Sequence, residues 1–289
     1  MTVRVGLIGG SGLYALEGLA AAAEVRLETP WGEPSDAFLV GELSGVPVAF
    51  LARHGRGHRI PPSSLNFRAN VWGFRMLGCD ALISTSACGS MKEAYRPADV
   101  VLPDQFVDMT RGRASTFFDD GCVAHVSMAD PVCPALLRML ERAGRETGAS
   151  LHAGGTYLCI DGPQFSSRAE SNLYRSWGVD VVGMTNATEA KLCREAEVCY
   201  ASLAMVTDYD CWREGEEALS VEVLLGILKK NEKTSAVLVR AAIAAVAGLT
   251  AERPCRCRQA LGLGLVTLPE DVPPASRERL TLLTERYWK

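Results

Sequence analysis

The chain alternates short, unbroken apolar runs with stretches of helical periodicity. Val3 to Ile8 is mostly β-branched and ends at Gly9-Gly10-Ser11-Gly12, the pattern of a buried strand entering a tight turn. Similar runs predict strands over Ala37 to Leu43, Val48 to Ala52, Ala81 to Ser86, Val100 to Leu102, Thr156 to Ile160, Val179 to Gly183 and Tyr200 to Thr207. Several are apolar throughout rather than at every second residue, which suits strands covered on both faces. Between them, Leu136, Met139, Leu140 and Ala143 fall at helical spacing within Pro134 to Gly144. Val221, Leu224, Leu225 and Leu228 repeat that spacing in a helix that Ser220 can cap. Helices are also predicted over Ser64 to Leu77, Ser166 to Trp177, Thr188 to Glu197, Thr234 to Leu249 and Ser276 to Lys289. No linker, repeat or low-complexity tract interrupts the alternation, so the pattern predicts an α/β fold: a single domain with a central mixed β-sheet flanked by helices. That domain takes in residues 1–289, with a core over about 3–249 and a C-terminal tail and helix over 250–289.

Composition sharpens this picture in two ways. With 48% hydrophobic residues in 289, the chain can bury a large core, which excludes disorder. A formal charge of -4 gives no sequence-wide electrostatic reason for a nucleic-acid or anionic-membrane partner, so any anion must be captured locally. The start carries no cationic leader with a cleavage site, and no run approaches the ~18 to 20 apolar residues of a membrane span. A cytoplasmic location is therefore expected, with its thiols reduced and most of the ten cysteines acting as small buried apolar residues. The absence of any Cys-x-x-Cys pair argues against a structural zinc site. Cys255-Arg256-Cys257 stands apart: it can form a strained disulfide, whereas a reducing compartment favours two free thiols.

Candidate chemistry gathers at strand ends, where α/β folds bind ligands. Gly10-Ser11-Gly12-Leu13-Tyr14-Ala15 fits a dinucleotide-binding Gly-x-Gly-x-x-Ala, with Glu28 near the place of a ribose-binding acid. The same turn also suits a single phosphate, cradled by backbone N–H groups and the Ser11 hydroxyl, or a purely structural role. Arg53-His54-Gly55-Arg56-Gly57-His58 follows another strand and offers guanidinium and imidazole donors for a doubly charged oxyanion. Ser84-Thr85-Ser86-Ala87-Cys88-Gly89-Ser90 adds hydroxyls at a third strand end. Thr207-Asp208-Tyr209-Asp210-Cys211-Trp212 closes a fourth. On extended chain its two carboxylates point the same way, as a pair that donates and accepts protons or as a helix-capping turn.

Taken in order, several segments resemble the blocks of 5'-methylthioadenosine phosphorylases, in the trimeric branch of the purine nucleoside phosphorylase family. They are Gly9 to Leu13, Thr29-Pro-Trp-Gly-Glu-Pro-Ser-Asp36, Ala52-Arg-His-Gly-Arg56, Ser86-Ala-Cys-Gly-Ser90, Gly162-Pro-Gln-Phe-Ser-Ser-Arg-Ala-Glu-Ser171, Gly183-Met-Thr185 and Cys199 to Trp212. The resemblance implies a nucleoside phosphorylase-like fold and a phosphate site of Ser11, Arg53, His54, Ser86, Ala87 and Thr185. It puts Met184 against the ribose, Phe165 in the base pocket, and Asp208 and Asp210 at the purine edge as the catalytic pair. Val221, Leu224 and Leu225 would line the apolar 5' end, with His125 supplied by a neighbouring subunit. The implied reaction is phosphorolysis of 5'-methylthioadenosine to adenine and 5-methylthioribose 1-phosphate, in purine and methionine salvage. Phosphate is the co-substrate, and no metal or organic cofactor is required. The implied assembly is a homo-oligomer, a trimer or a dimer of trimers.

Two aspartates favour a 6-amino over a 6-oxo purine, because the amine donates where an oxo group would present acceptor to acceptor. Asn186-Ala187-Thr188-Glu189 and Gln164 depart from the family pattern, the first at a position expected beside the sugar. A purine nucleoside or methylthioinosine phosphorylase of broader or 6-oxopurine specificity is the alternative. An oxidoreductase using the glycine turn and a non-catalytic nucleoside-binding protein are the rivals from other classes.

Overall fold

The apolar run that opens the chain becomes the interior of a sheet. A computed structural model describes residues 5–10, 18–213, 226, 236–246 and 255–288. Its strands are β1 (Val5–Gly9), β2 (Ala20–Val25), β3 (Phe38–Leu43), β4 (Val46–Ala52), β5 (Ala81–Ser90), β6 (Val100–Leu102), β7 (Gln105–Asp108), β8 (Leu151–Ala153), β9 (Thr156–Cys159), β10 (Val181–Gly183) and β11 (Cys199–Asp208). The helices are α1 (Phe67–Met76), α2 (Pro134–Glu146), α3 (Arg168–Ser176), α4 (Asn186–Glu195), the helical residues 236–246 as α5, and α6 (Pro274–Thr284).

β5 is the spine of this mixed sheet. Residues 81–85 run parallel to β1 on one side, and residues 81–89 run parallel to β11 on the other. The far end of β5 pairs antiparallel with β10, which leads on to β9 and β7. β1 also pairs parallel with β4, so its five residues are buried on both faces, as an unbroken apolar run requires. Val5 and Leu7 pack with Leu136 and Leu140 of α2 and Ile243 of α5. Ile8 points the other way, toward Phe74 of α1, Leu192 of α4 and Leu280 of α6. Each fully buried leucine or isoleucine in these two layers contributes about 1.5–3 kcal/mol.

Helix starts follow local chemistry. Asn66 caps α1 by accepting from the Ala69 amide at 3.1 Å. Ser167 and Glu170 form a reciprocal capping box at α3. Three strands escape the sequence reading. The alanines of β2 are poor strand formers that hydrogen-bond to β3 at the sheet edge, while β7 and β8 span four and three residues and owe their form to partners far along the chain. The predicted helix at Val221 lies outside the described residues.

The topology also removes the dinucleotide reading. β2 is antiparallel to β3 and is separated from β1 by β3 and β4, whereas a dinucleotide unit needs a parallel neighbour reached through a crossover helix. Glu28 is exposed. Among the described residues, no helix is long and apolar enough to cross a membrane.

Candidate active site

Four strand ends meet at one cleft. β4 delivers Arg53 and His54, β5 delivers Ser86 to Gly89, the β10–α4 junction delivers Gly183 to Thr185, and β11 delivers Thr207 and Asp208 with Asp210 just beyond. Phe165 closes the cleft from the segment ahead of α3. Arg53, His54, Ser86, Ala87, Phe165, Met184, Thr185, Asp208 and Asp210 thus come together although they span 158 positions of sequence. His125 does not join them within one chain. It is exposed, and its amide donates to the Gly264 carbonyl at 2.7 Å. Ser11, Val221, Leu224 and Leu225 lie outside the described residues.

One end of the cleft is built for an anion. Thr185 marks the N-terminus of α4, where unpaired amides and the helix dipole favour negative charge. The buried Ser86 hydroxyl has no hydrogen-bond partner among the described residues. Arg53 lines the same end, but most of its donors are already committed. Nε donates to Glu189 Oε1 at 2.5 Å, Nη1 to the Thr85 carbonyl at 2.9 Å and Nη2 to Ser84 Oγ at 2.6 Å. Both side chains of the Arg53–Glu189 pair are 1% exposed. Burial alone works against the guanidinium charge, and the Glu189 carboxylate outweighs it, holding Arg53 above its ordinary range. Glu189 Oε2 also accepts from Ser84 Oγ and the Tyr200 hydroxyl, each at 2.9 Å. A side chain at Gly10 would collide with Arg53 Nη1 and the Thr85 carbonyl, so the turn after β1 needs a glycine here to keep the guanidinium in place.

Glu189 is the residue sequence reasoning missed. It sits in the Asn186 to Glu189 stretch, and nothing local marks it as the counter-charge of an arginine 136 positions away. The expectation that Asn186 lies beside the sugar is also corrected. Asn186 is fully buried behind the cleft, where its side-chain nitrogen donates to Ser202 Oγ and its oxygen accepts from Thr185 Oγ1 at 3.1 Å. Gln164 is exposed and is absent from the residues lining the cleft.

His54 proves different from the expected donor. Its Nδ1 lies 2.8 Å from the Ile60 carbonyl, which can only accept, so Nδ1 carries the proton. Burial and the neighbouring Arg53 charge push the imidazole down to about 4. At neutral pH the ring is therefore uncharged and its Nε2 is an acceptor, suited to a protonated phosphate oxygen rather than an ionised one. The ring is held in this plane by stacking on His58, with centroids 4.4 Å apart.

The carboxylates are arranged by a turn and not by strand alternation. β11 ends at Asp208 with a register shift against β5, and Asp210 takes a left-handed conformation with φ 52° that aspartate tolerates. The Asp210 amide donates to Asp208 Oδ1 at 2.6 Å, which fixes the spacing of the pair. Asp208 Oδ2 lies 2.6 Å from Thr207 Oγ1, which is also 3.1 Å from the Cys88 carbonyl. A hydroxyl has one proton, so Thr207 donates to Asp208 when that carboxyl is ionised. It donates to Cys88, and accepts from Asp208, when the carboxyl is protonated. Asp208 can thus change protonation state without leaving a buried group unpaired. Burial raises the Asp210 carboxyl above its ordinary value, against the pull of the nearby Ser171 hydroxyl.

Comparison with known proteins places the chain in a family. A family model described as "Phosphorylase superfamily" matches residues 4–244. A protein of Koribacter versatilis named S-methyl-5'-thioadenosine phosphorylase is 51% identical over 288 residues, covering 100% of this chain and 98% of that protein. One of the same name from Thermosynechococcus vestitus is 51% identical, covering 99% of this chain and 100% of its own. Among solved structures, a methylthioadenosine phosphorylase from an antarctic soil metagenomic library superposes with a TM-score of 0.92 at 46% identity, over 98% of this chain and 99% of that one. Methylthioadenosine phosphorylase from Schistosoma mansoni in complex with adenine superposes with a TM-score of 0.81 at 36% identity, over 86% of this chain and 93% of that one. An anion end facing a carboxylate end across four strand tips, in a chain about half identical to such enzymes along its full length, belongs to the phosphorylase superfamily.

Proposed function

We propose that the protein is an S-methyl-5'-thioadenosine phosphorylase, converting 5'-methylthioadenosine and phosphate to adenine and 5-methylthioribose 1-phosphate. The observation that carries this reading is the cleft's polarity: donors for an oxyanion at one end and two carboxylates at the other. The full-length relatives supply the substrate. Phosphate sits at the N-terminus of α4 against Thr185, Ser86, the Ala87 backbone and the remaining Arg53 N–H; the family resemblance adds Ser11 to this set. His54 Nε2 accepts the phosphate's P–OH proton in a hydrogen bond. Phe165 and Met184 hold purine and ribose.

The glycosidic C1'–N9 bond breaks with its electron pair leaving on the purine, and a phosphate oxygen captures the oxocarbenium-like C1'. Asp208 donates its proton to purine N7, which makes adenine a competent leaving group. Asp210 accepts from the exocyclic amine. In the overall balance adenine gains one proton and phosphate loses one, so the reaction closes with no redox partner, metal or organic cofactor. Positioning and charge matching carry the rate.

The site is completed by a neighbouring chain in a homo-oligomer, a trimer or a dimer of trimers, with His125 reaching the 5' substituent of the next subunit. The surroundings of His125 support this: Val123, Leu263 and Val266 are large apolar residues exposed beside the bridge between Ala124 and Leu265. The enzyme acts in the cytoplasm, in purine and methionine salvage, through one domain formed by the whole chain.

Incubation with 5'-methylthioadenosine, with and without phosphate, followed by adenine quantification tests the reading. Phosphate-dependent adenine release is expected. Release without phosphate would make the protein a hydrolase, and no release from folded protein would refute the catalytic assignment. Adenosine, inosine and methylthioinosine run alongside test the aspartates, since faster turnover of the 6-oxo substrates would overturn the proposed base recognition.

A further inference from the structure

At the other end of β11, about 30 Å of strand away from Asp208, four cysteines from three parts of the chain converge. Cys133 precedes α2, Cys199 opens β11, and Cys255 and Cys257 follow the α5 segment. Their Sγ atoms all lie within 4.8 Å of one another. Cys199 Sγ and Cys255 Sγ are 3.6 Å apart. A disulfide would need about 2.05 Å. Four sulfurs at about 2.3 Å around a tetrahedral zinc stand about 3.8 Å from each other. The Cys199–Cys255 separation is close to that edge, and the 4.8 Å bound on the other pairs lets the four sulfurs close around one ion.

The surroundings suit thiolates. The Leu136 amide points at Cys133 Sγ from 3.5 Å, and Arg194 Nη1 lies 3.7 Å from Cys257 Sγ. Such donors offset the double negative charge that four thiolates leave around a divalent ion. Cys133, Cys199 and Cys257 are buried and Cys255 is half-buried, which keeps water from the sulfurs. A missing Cys-x-x-Cys pair does not exclude such a site, because the fold brings one Cys-x-Cys together with two cysteines that are single in sequence.

We propose that Cys133, Cys199, Cys255 and Cys257 bind a structural zinc ion as a tetrathiolate. The ion pins the chain after α5 to the start of β11 and the N-terminus of α2, and takes no part in chemistry at the cleft. Binding releases the thiol protons to solvent and needs no oxidant or reductant.

The test uses full-length protein purified under reducing conditions without chelator, its free thiols trapped by alkylation at lysis in a parallel sample. Elemental analysis should find about one zinc per chain, falling below about a tenth in Cys255→Ser/Cys257→Ser and remaining in Cys79→Ser. Reduced, metal-stripped wild-type protein titrated with Co2+ should develop thiolate-to-metal charge-transfer absorption and the intense visible bands of a tetrahedral site. Removal of the metal should lower the thermal unfolding midpoint. Protein that carries no zinc and fails to give the Co2+ spectrum overturns the proposal. Intact masses showing disulfides among these four cysteines in the trapped sample overturn it too.

Discussion

Replacing Glu189 with glutamine should cost the protein much of its stability, although the two side chains have the same shape. Glu189 takes the charge-assisted bond from Arg53 Nε at 2.5 Å and two hydroxyl bonds at 2.9 Å, all in the interior. In Glu189→Gln one acceptor oxygen remains. If it faces Arg53, the amide nitrogen turns its donors toward the Ser84 and Tyr200 hydroxyls; in the other orientation it meets Arg53. Either way the guanidinium loses its counter-charge while 1% exposed. Breaking a buried pair from one side costs about 3–5 kcal/mol. That is a large share of the ~5–15 kcal/mol that a folded protein holds. Urea denaturation followed by tryptophan fluorescence measures the loss, with Glu28→Gln as an exposed control. Phosphate stabilises whichever native state it binds, by mass action. An uncompensated Arg53 beside the anion end should make that stabilisation larger in the variant than in the parent. A loss below about 1 kcal/mol, in the range of surface ion pairs, would mean that Glu189 does not neutralise Arg53.

Other consequences are open to measurement. Asp208→Asn should keep the fold and lower kcat by roughly 10²–10⁴-fold, the usual worth of a positioned general acid, and near-normal turnover would remove Asp208 from that role. Thr207→Val should lower kcat and move the alkaline limb of its pH profile, because the hydroxyl that follows the Asp208 proton is gone; an unshifted profile would disprove the relay. His54, pushed down to about 4 from an ordinary 6.5, makes the unfolded chain bind more protons in that window, so its share of stability, ~3 kcal/mol, is lost as pH falls from about 6.5 to about 4. Glu195, raised by burial from 4.5 to about 7, has the opposite sign and adds stability as pH falls from about 7 to about 4.5. Denaturation of Glu195→Gln and His54→Gln between pH 4.5 and 6.5 should therefore show slopes of opposite sense relative to the parent, and parallel curves would contradict both assignments. Gly183→Ala should destabilise the protein or displace Tyr157, since the added carbon would overlap the Tyr157 hydroxyl; a crystal structure or a melting curve unchanged from the parent would refute that contact.

Much of the architecture could be read from local pattern. Val5–Gly9 is apolar throughout and Cys199–Val206 is apolar but for Ser202, and both runs lie inside the sheet, buried at every position, because a strand covered on both faces cannot alternate. The Arg53-His54, Ser86-Ala87 and Asp208-Tyr209-Asp210 clusters each follow such a run, and strand tips in a parallel region open on one side, so they share one cleft. The alanine-rich β2 carries no such pattern, and its place was decided by the edge of β3.

The amino-acid sequence by itself determined which residues are apolar enough to be buried, where strands end, and which chemical groups those ends carry. Tertiary structure alone decided what those groups are paired with. Glu189 became the counter-charge of Arg53 from 136 positions away, the Ile60 carbonyl chose the tautomer of His54, and a left-handed turn set the distance between Asp208 and Asp210. The four sulfurs meet only because α2, β11 and the segment after α5 pack together. Periodicity along a chain reports which face of an element is covered. Charge, tautomer and coordination depend on atoms a few ångströms away in space, and burial makes each such contact strong by keeping water from competing for it.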